Sequence, residues 1–443
     1  LLVLLALVGC GVGLSDGVVR LFAPGFAAIP EKAALTSQLV RWTFPYLLLV
    51  GMAAWAMGVL HSFRRFVAPA LGPILLNLAI VSAALSLAGT LARPVFALVV
   101  GVLFGGLLQF LVQAPSLQRV GVRARDLTFL RHPAVGRVGG LLVPTLFGGA
   151  VYQLGILVAT VLASLLPDRS VSYLWYADRI FEFPLGIVAV AVGTAVLPSL
   201  SGQASAKRYQ AMAVSSAYAL RLVWALCIPA MIGVWMLAPA IVHVLFQRGE
   251  FSALDTAMTA WALRAYAFGM LGVASTRVLV SVFYALQRPR IPVLTASVAL
   301  VVNVLADIAL MGPAANVGAW WGATAVGGLR AWIGLADMDH AGLALGTAIA
   351  ATVNAGLLFV LARRRLGRSL ADGVATSAAR HGLCAVLMMV AVGGWQRFAA
   401  DWGVWAELVG AVAVGVTVYV LAGVALGSGE IARLLGMRRT GDR

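Results

Sequence analysis

Charged residues are few: 16 acidic and 32 basic among 443, or 11% of the chain. A soluble domain carries about 25%, so a soluble globule is excluded. The three cysteines, Cys10, Cys227 and Cys384, each lie alone in a different apolar run. That spacing gives neither a disulfide framework nor a zinc motif, and packing is the role left to them. The five histidines stand equally alone. There is no Walker loop, no H-E-x-x-H, no G-x-S-x-G and no cluster of histidine with carboxylates, so the sequence carries no enzyme signature. Asp337 and Asp339 form a D-x-D too weak to specify a glycosyltransferase. Nothing alternates with the period of a barrel strand.

What fills the chain is apolar: 62% of residues are hydrophobic and the mean hydropathy is +0.97. Apolar runs long enough to cross a bilayer recur throughout. Twelve spans are predicted, at 1–22, 38–61, 69–90, 95–115, 138–166, 171–200, 217–246, 256–287, 292–311, 341–362, 378–395 and 404–427. The loops between them alternate in basicity. One set, with Arg64, Arg65, Arg119, Lys207, Arg288, Arg363 and the tail around Arg433 among its members, holds 20 basic residues, and the opposite set holds 7. The positive-inside rule places the richer set, and with it the C-terminus, in the cytoplasm. The net charge of +16 is thus a topology signal, and nucleic acid is not an expected partner.

The second and third spans resemble the eighth and ninth in layout. Arg41 corresponds to Arg264, the basic turn at Arg64 and Arg65 to Arg288 and Arg290, Pro69 to Pro292, and Asn77 to Asn303. Such a parallel repeat is a transporter architecture. It divides the chain into a first lobe at 1–115 with four helices, a basic cytoplasmic linker at 116–137 suited to anionic headgroups, and a second lobe of six helices at 138–362. Two extra helices and the tail occupy 363–443. The stretch 314–340 is Gly- and Trp-rich and reads either as an interfacial segment or as a loop insertion.

Residues 171–201 stand out. Asp178, Arg179 and Glu182 open an otherwise apolar span, with Pro184 expected to loosen the helix. Intramembrane charges mark functional paths unless they snorkel to the surface. Arg179 and Glu182 share a helical face and can pair. Arg277, deep in its span, joins Arg179 as a candidate for binding an anionic group, because guanidinium forks match phosphate oxygens; Arg221 lies near a span end and reads as snorkelling. Asn303 and Asp307, four apart, offer oxygen ligands to Na+ or a carboxylate for a proton, or else serve as interhelical glue. Thr347 and the Leu343 carbonyl lie on the next helix.

The string WYADRIFEFPLGIVAVAVGTAVLPSLS resembles the MurJ/MviN family of lipid II flippases. So, in order, do APGF, LTSQLVRWTFPYLLL, FVAPALGPILLNLAIV, LFQRGEFSALDT and VLVSVFYALQRPRIPV. The resemblance covers 20–312 well and 341–427 more loosely. It implies an all-α polytopic membrane protein: two six-helix lobes plus two C-terminal helices in a fourteen-helix exporter fold, both ends cytoplasmic, in the bacterial inner membrane. The twelve spans would be the third to fourteenth, and the chain, opening inside an apolar run without Met, is expected to lack the family's first two helices. Lipid II would enter between the lobes and cross by alternating access, with Arg179 and Glu182 near its pyrophosphate. Asn303, Asp307, Leu343 and Thr347 would form a site for Na+ as coupling ion; no other cofactor is implied. Membrane lipids and cell-wall synthesis proteins are the other expected partners. Ser281 stands where many members have an arginine, and Arg277 is the expected substitute. A different exporter of drugs or lipid-linked oligosaccharides, or an inactive membrane scaffold, are the alternatives.

Overall fold

A computed structural model describes residues 2–121, 153–313 and 322–436, with the backbone alone for 188–198. Among the described residues every regular element is helical. In lipid each backbone N–H and C=O must find a partner within the protein, which a helix provides residue by residue.

The first unit contains α1 (Leu2–Gly13), α2 (Ser15–Phe22), α3 (Pro30–Thr43), α4 (Tyr46–Ser62), α5 (Val67–Leu87), α6 (Phe96–Leu111) and the short α7 (Ala114–Arg119). The second contains α8 (Gln153–Leu165), α9 (Ser170–Ser205), α10 (Tyr209–Phe246), α11 (Ala253–Ala267), α12 (Met270–Ala285) and α13 (Arg290–Leu310). It continues through α14 (Ala323–Ile333), α15 (Asp339–Leu366), α16 (Val374–Phe398), α17 (Val404–Ala425) and α18 (Gly429–Leu434).

Among the described residues eight helices, with α3 and α4 counted as one span, are long and apolar enough to cross a membrane; two bent pairs raise the number to ten. Those pairs correct the sequence reading. The span expected at 1–22 breaks at Leu14, with α1 and α2 at 78°, and the one expected at 256–287 bends by 43° between α11 and α12. The span at 138–166 is described only from Gln153, and the one at 171–200 extends over the 36 residues of α9. Most of the linker at 116–137 lies outside the described residues, as do Trp320 and Trp321.

The internal repeat is visible in backbone detail. In each copy a broken span leads through a left-handed residue, Arg64 (φ 57°) or Gln287 (φ 54°), into the next helix. The following amide reaches back five residues, Arg65 N–H to the Leu60 carbonyl (2.8 Å) and Arg288 N–H to that of Phe283 (2.9 Å). A constant offset of 223 positions relates these residues, and also Arg41 to Arg264 and Pro69 to Pro292. The same offset sets Asn77 opposite Leu300. The expected pairing of Asn77 with Asn303 is therefore three residues out of register.

Prolines inside α10 show how the second unit is tied together. Pro229 and Pro239 cannot donate to the carbonyls of Ala225 and Trp235, four residues earlier. Side chains from other helices supply the missing donors: Tyr419 Oη of α17 at 2.7 Å from the Ala225 oxygen, and Arg264 Nε of α11 at 3.1 Å from the Trp235 oxygen. Arg264 also lies over the Trp235 ring. The last two long helices pack on α10 through Ile228, Leu237, Cys384, Met388 and Val392. Cys227 and Cys384 are buried there, and Cys10 is exposed.

Candidate substrate and cation sites

The position of α9 is fixed at its start. Arg169, left-handed at φ 68°, places its guanidinium 2.9 Å from both carboxylate oxygens of Asp255. Hydrogen bonding and charge attraction to Asp255 raise the pKa of the arginine further above its already high ordinary value. Tyr173 Oη donates to the same carboxylate at 2.8 Å. Asp255 is also the third residue of a capping box with Ser252 at the head of α11. Two turns further along α9, the Phe181 ring stacks on Tyr266 of α11. Together these contacts hold α9 against α11.

On this anchored helix Arg179 is flanked by both carboxylates. Its Nη1 is 3.0 Å from Glu182 Oε2 and its Nη2 3.3 Å from Asp178 Oδ2, and the guanidinium lies over the Trp175 ring. The side chain is still 52% exposed, so the ion pairs can be exchanged for a ligand's oxygens without unpacking a core. Past Pro184 the helix continues, and Arg277 of α12 donates from Nη1 to the Leu185 carbonyl at 3.0 Å. That contact lies about 9 Å along the axis from Arg179, at 1.5 Å of rise per residue. Arg277 thus supports the α9 backbone with one arm of its fork, and Ser281 is turned back on its own helix, donating to the Arg277 carbonyl.

The Arg221 of the sequence reading does more than snorkel. Its Nε is 3.4 Å from Glu430 Oε1, and its Nη1 lies 2.5 Å from where a Cβ of Gly373 would stand. Gly373 also has φ 70°, so the position suits glycine on both counts. In the Gly- and Trp-rich stretch, Asp337 of the D-x-D pairs with Arg330, whose Nε also donates to the Met311 carbonyl.

The second candidate site lies where α13 packs on α15. Asp307 is fully buried; its Oδ1 accepts from Asn303 Nδ2 at 3.1 Å and its Oδ2 has no hydrogen-bond partner. Gly346 of α15 lies directly against Oδ1, where any Cβ would collide. Leu343 and Thr347 flank that glycine, and Thr347 Oγ1 donates to the Leu343 carbonyl at 3.1 Å. The structure thus brings the α13 pair to the α15 turn that carries the other two. The unpaired Oδ2, the threonine hydroxyl and the carbonyl are hard oxygen donors, the kind of ligand Na+ takes. The Asn303 amide would have to turn over to present its oxygen. Among the described residues no group of three His, Cys, Asp or Glu side chains gathers as a transition-metal site.

Among the described residues the chain is a repeated, all-helical assembly of apolar spans, the architecture of a polytopic membrane protein. The model of the family described as "Lipid II flippase MurJ" matches residues 1–413, and the chain belongs to that family. The lipid II flippase MurJ of Burkholderia cenocepacia is 33% identical over 362 residues, 80% of this chain and 65% of that protein. A probable lipid II flippase MurJ of Vibrio cholerae is 32% identical over 352 residues, 78% of this chain and 62% of that one. The chain therefore spans somewhat less than two thirds of the length of these relatives. A solved structure of a lipid II flippase MurJ in an inward closed conformation superposes with a TM-score of 0.77. It covers 98% of this chain and 82% of that one at 22% identity, a match of fold.

The sequence named Arg179, Glu182, Arg277, Asn303, Asp307, Leu343 and Thr347 as candidates, and did not name the residues that anchor α9. Of these the Ser252-x-x-Asp255 capping box was legible, since serine followed by an acid three residues on marks a helix start. Arg169 and Tyr173, 86 and 82 positions from Asp255, carried no such signal.

Proposed function

We propose that this chain moves lipid II from the cytoplasmic to the outer leaflet of a bacterial inner membrane by alternating access, with its C-terminus in the cytoplasm. It acts as a transporter and makes or breaks no covalent bond. Family membership supports the cargo. The observation that carries the site is Arg179: a half-exposed guanidinium on the long helix α9, held by carboxylates that a diphosphate can replace. Charge-assisted fork contacts to phosphate oxygens are strong and directional, and in the proposed cycle they substitute for the Glu182 and Asp178 pairs while the headgroup crosses. Arg277, on the backbone of the same helix, keeps the Pro184 region in register and has further N–H groups for the cargo. Na+ at Asp307 would bind α13 to α15 and couple the cycle to an ion gradient. Cell-wall synthesis proteins are partners on this reading.

The patch holds two carboxylates to one guanidinium, which favours a cationic cargo in a second reading as a drug exporter. Growth separates the two. The gene product carrying this sequence should rescue a bacterium depleted of its own lipid II flippase, and its Arg179→Ala form should not, although present in the membrane. Failure of the unsubstituted protein, with export of cationic dyes intact, would establish the second reading.

A further inference from the structure

A buried polar relay joins α10, α16, α17 and α18, and no step of the proposed transport uses it. His381 is 0% exposed, Ser428 1% and Glu430 6%. His381 Nδ1 is 2.8 Å from Tyr419 Oη, and its Nε2 is 3.4 Å from Ser428 Oγ and 3.8 Å from Glu430 Oε2. Ser428 Oγ is 3.1 Å from Glu430 Oε2 and accepts the Ile431 N–H at the start of α18.

The hydrogens of this relay can be counted. Tyr419 has one, and the Ala225 carbonyl, which Pro229 leaves without a helical donor, claims it. Tyr419 Oη must then accept, so the hydrogen of a neutral His381 lies on Nδ1 and Nε2 presents a lone pair. Ser428 has one hydrogen and two acceptors facing it, His381 Nε2 and Glu430 Oε2. Given to Glu430, it leaves the buried Nε2 lone pair unmatched; given to Nε2, it leaves the carboxylate to Ser377 Oγ and Arg221, each 3.4 Å from Oε1, with Oε2 unmatched. One additional proton closes the chain. Placed on Nε2 it donates to Ser428 Oγ, and the Ser428 hydrogen turns to Glu430. The carboxylate is already the anion: His381, the Ser428 hydroxyl and Arg221 hold it down to about 2 against the opposing effect of burial.

We propose that His381, Ser428 and Glu430 form a buried proton-binding site that fastens α18 to α16 when occupied. The proton comes from water at the basic end of the second unit and returns there; no other bond changes. The charged and titratable groups around the site are Arg221 and Cys227 on α10, Arg380 and Cys384 on α16, Tyr419 on α17, and Glu430 and Arg433 on α18. Arg221 and Arg380 oppose a second positive charge. Glu430 is the carboxylate in direct reach of the imidazole, and Ser428 bridges the gap to it.

The test is nitrogen NMR of the full chain, labelled at histidine, in lipid nanodiscs between pH 5 and 8.5, with His381 identified by the signal lost in His381→Gln. The expected result is one bare and one protonated ring nitrogen at high pH and two protonated nitrogens at low pH. Glu430→Gln should weaken proton binding about tenfold or more, as expected on removing an opposite charge within ~4–6 Å. If Glu430→Gln does not fold, Ser428→Ala replaces it and should also weaken binding, since it removes the bridge. His381 nitrogens that stay unchanged over the whole range, or unaltered proton binding in the folded variant, would overturn the proposal.

Discussion

Tyr419 tests whether a proline-broken membrane helix is repaired from outside. Tyr419→Phe removes the donor that meets the Ala225 carbonyl at 2.7 Å, in a site where Ala225 is 2% exposed. Leaving a buried acceptor unmatched costs about 1–3 kcal/mol, while interhelical hydrogen bonds in membranes average about 0.6 and reach about 1.7 kcal/mol. A loss of about 1–2 kcal/mol is expected. Part of it belongs to the His381 contact, which the same substitution breaks, and a double-mutant cycle separates the two. Pro229→Ala gives the Ala225 carbonyl back its helical N–H. In that background the loss from Tyr419→Phe should shrink by about 1 kcal/mol, leaving only the His381 part. The assay is reversible unfolding in mixed micelles with increasing dodecyl sulfate, followed by circular dichroism. Equal losses in the two backgrounds would refute the repair.

Three further outcomes follow from the same geometry. Asp255→Asn weakens the Arg169 pair and the Ser252 cap together, and should raise amide exchange over 252–260; unchanged exchange would contradict the anchoring of α9. Glu430 has a folded pKa below its unfolded value, so its contribution to stability is complete above about pH 4.5 and is lost as pH falls towards about 2. Thermal unfolding across that range should be flatter for Glu430→Gln than for the unsubstituted protein, and parallel curves would contradict the pairing. At the cation site, Na+ in tenfold excess over its dissociation constant should stabilise the protein by about 1.4 kcal/mol relative to a sodium-free medium. Asp307→Asn should abolish that difference, and its persistence would move the ion elsewhere.

The fold was legible where local chemistry decides it. Apolar run length located the spans, and Pro45 lies at the break between α3 and α4. Arg179 and Glu182 pair because three residues is one helical turn, a fact of spacing. The repeat was readable from Arg41 and Pro69, but its register was not: asparagines in apolar helices invite alignment, and the left-handed turns that fix the offset have no residue in common, Arg64 in one copy and Gln287 in the other. The 78° break at Leu14 falls between Gly13, the last residue of α1, and Ser15 and Asp16, which open α2; these residues mark a weak point in an apolar run but do not set its angle. Here Arg41 places Nε and Nη2 each 3.2 Å from Ser15 Oγ, a long-range contact that only the folded chain supplies. Longer-range still are Tyr419 with Ala225, 194 positions apart. In sequence a proline in a membrane helix states that a carbonyl is left over, and says nothing of which side chain will meet it.

On the proposed function, Arg179 handles the diphosphate of lipid II. The direct measurement uses the gene product carrying this sequence, purified and placed in liposomes with fluorescent lipid II, and follows the rate at which the headgroup becomes accessible from the far side. Transport by the unsubstituted protein is expected, with at least a tenfold loss for Arg179→Ala at equal folded protein, corresponding to about 1.4 kcal/mol or more of lost stabilisation during crossing. Equal rates for the two proteins would contradict it.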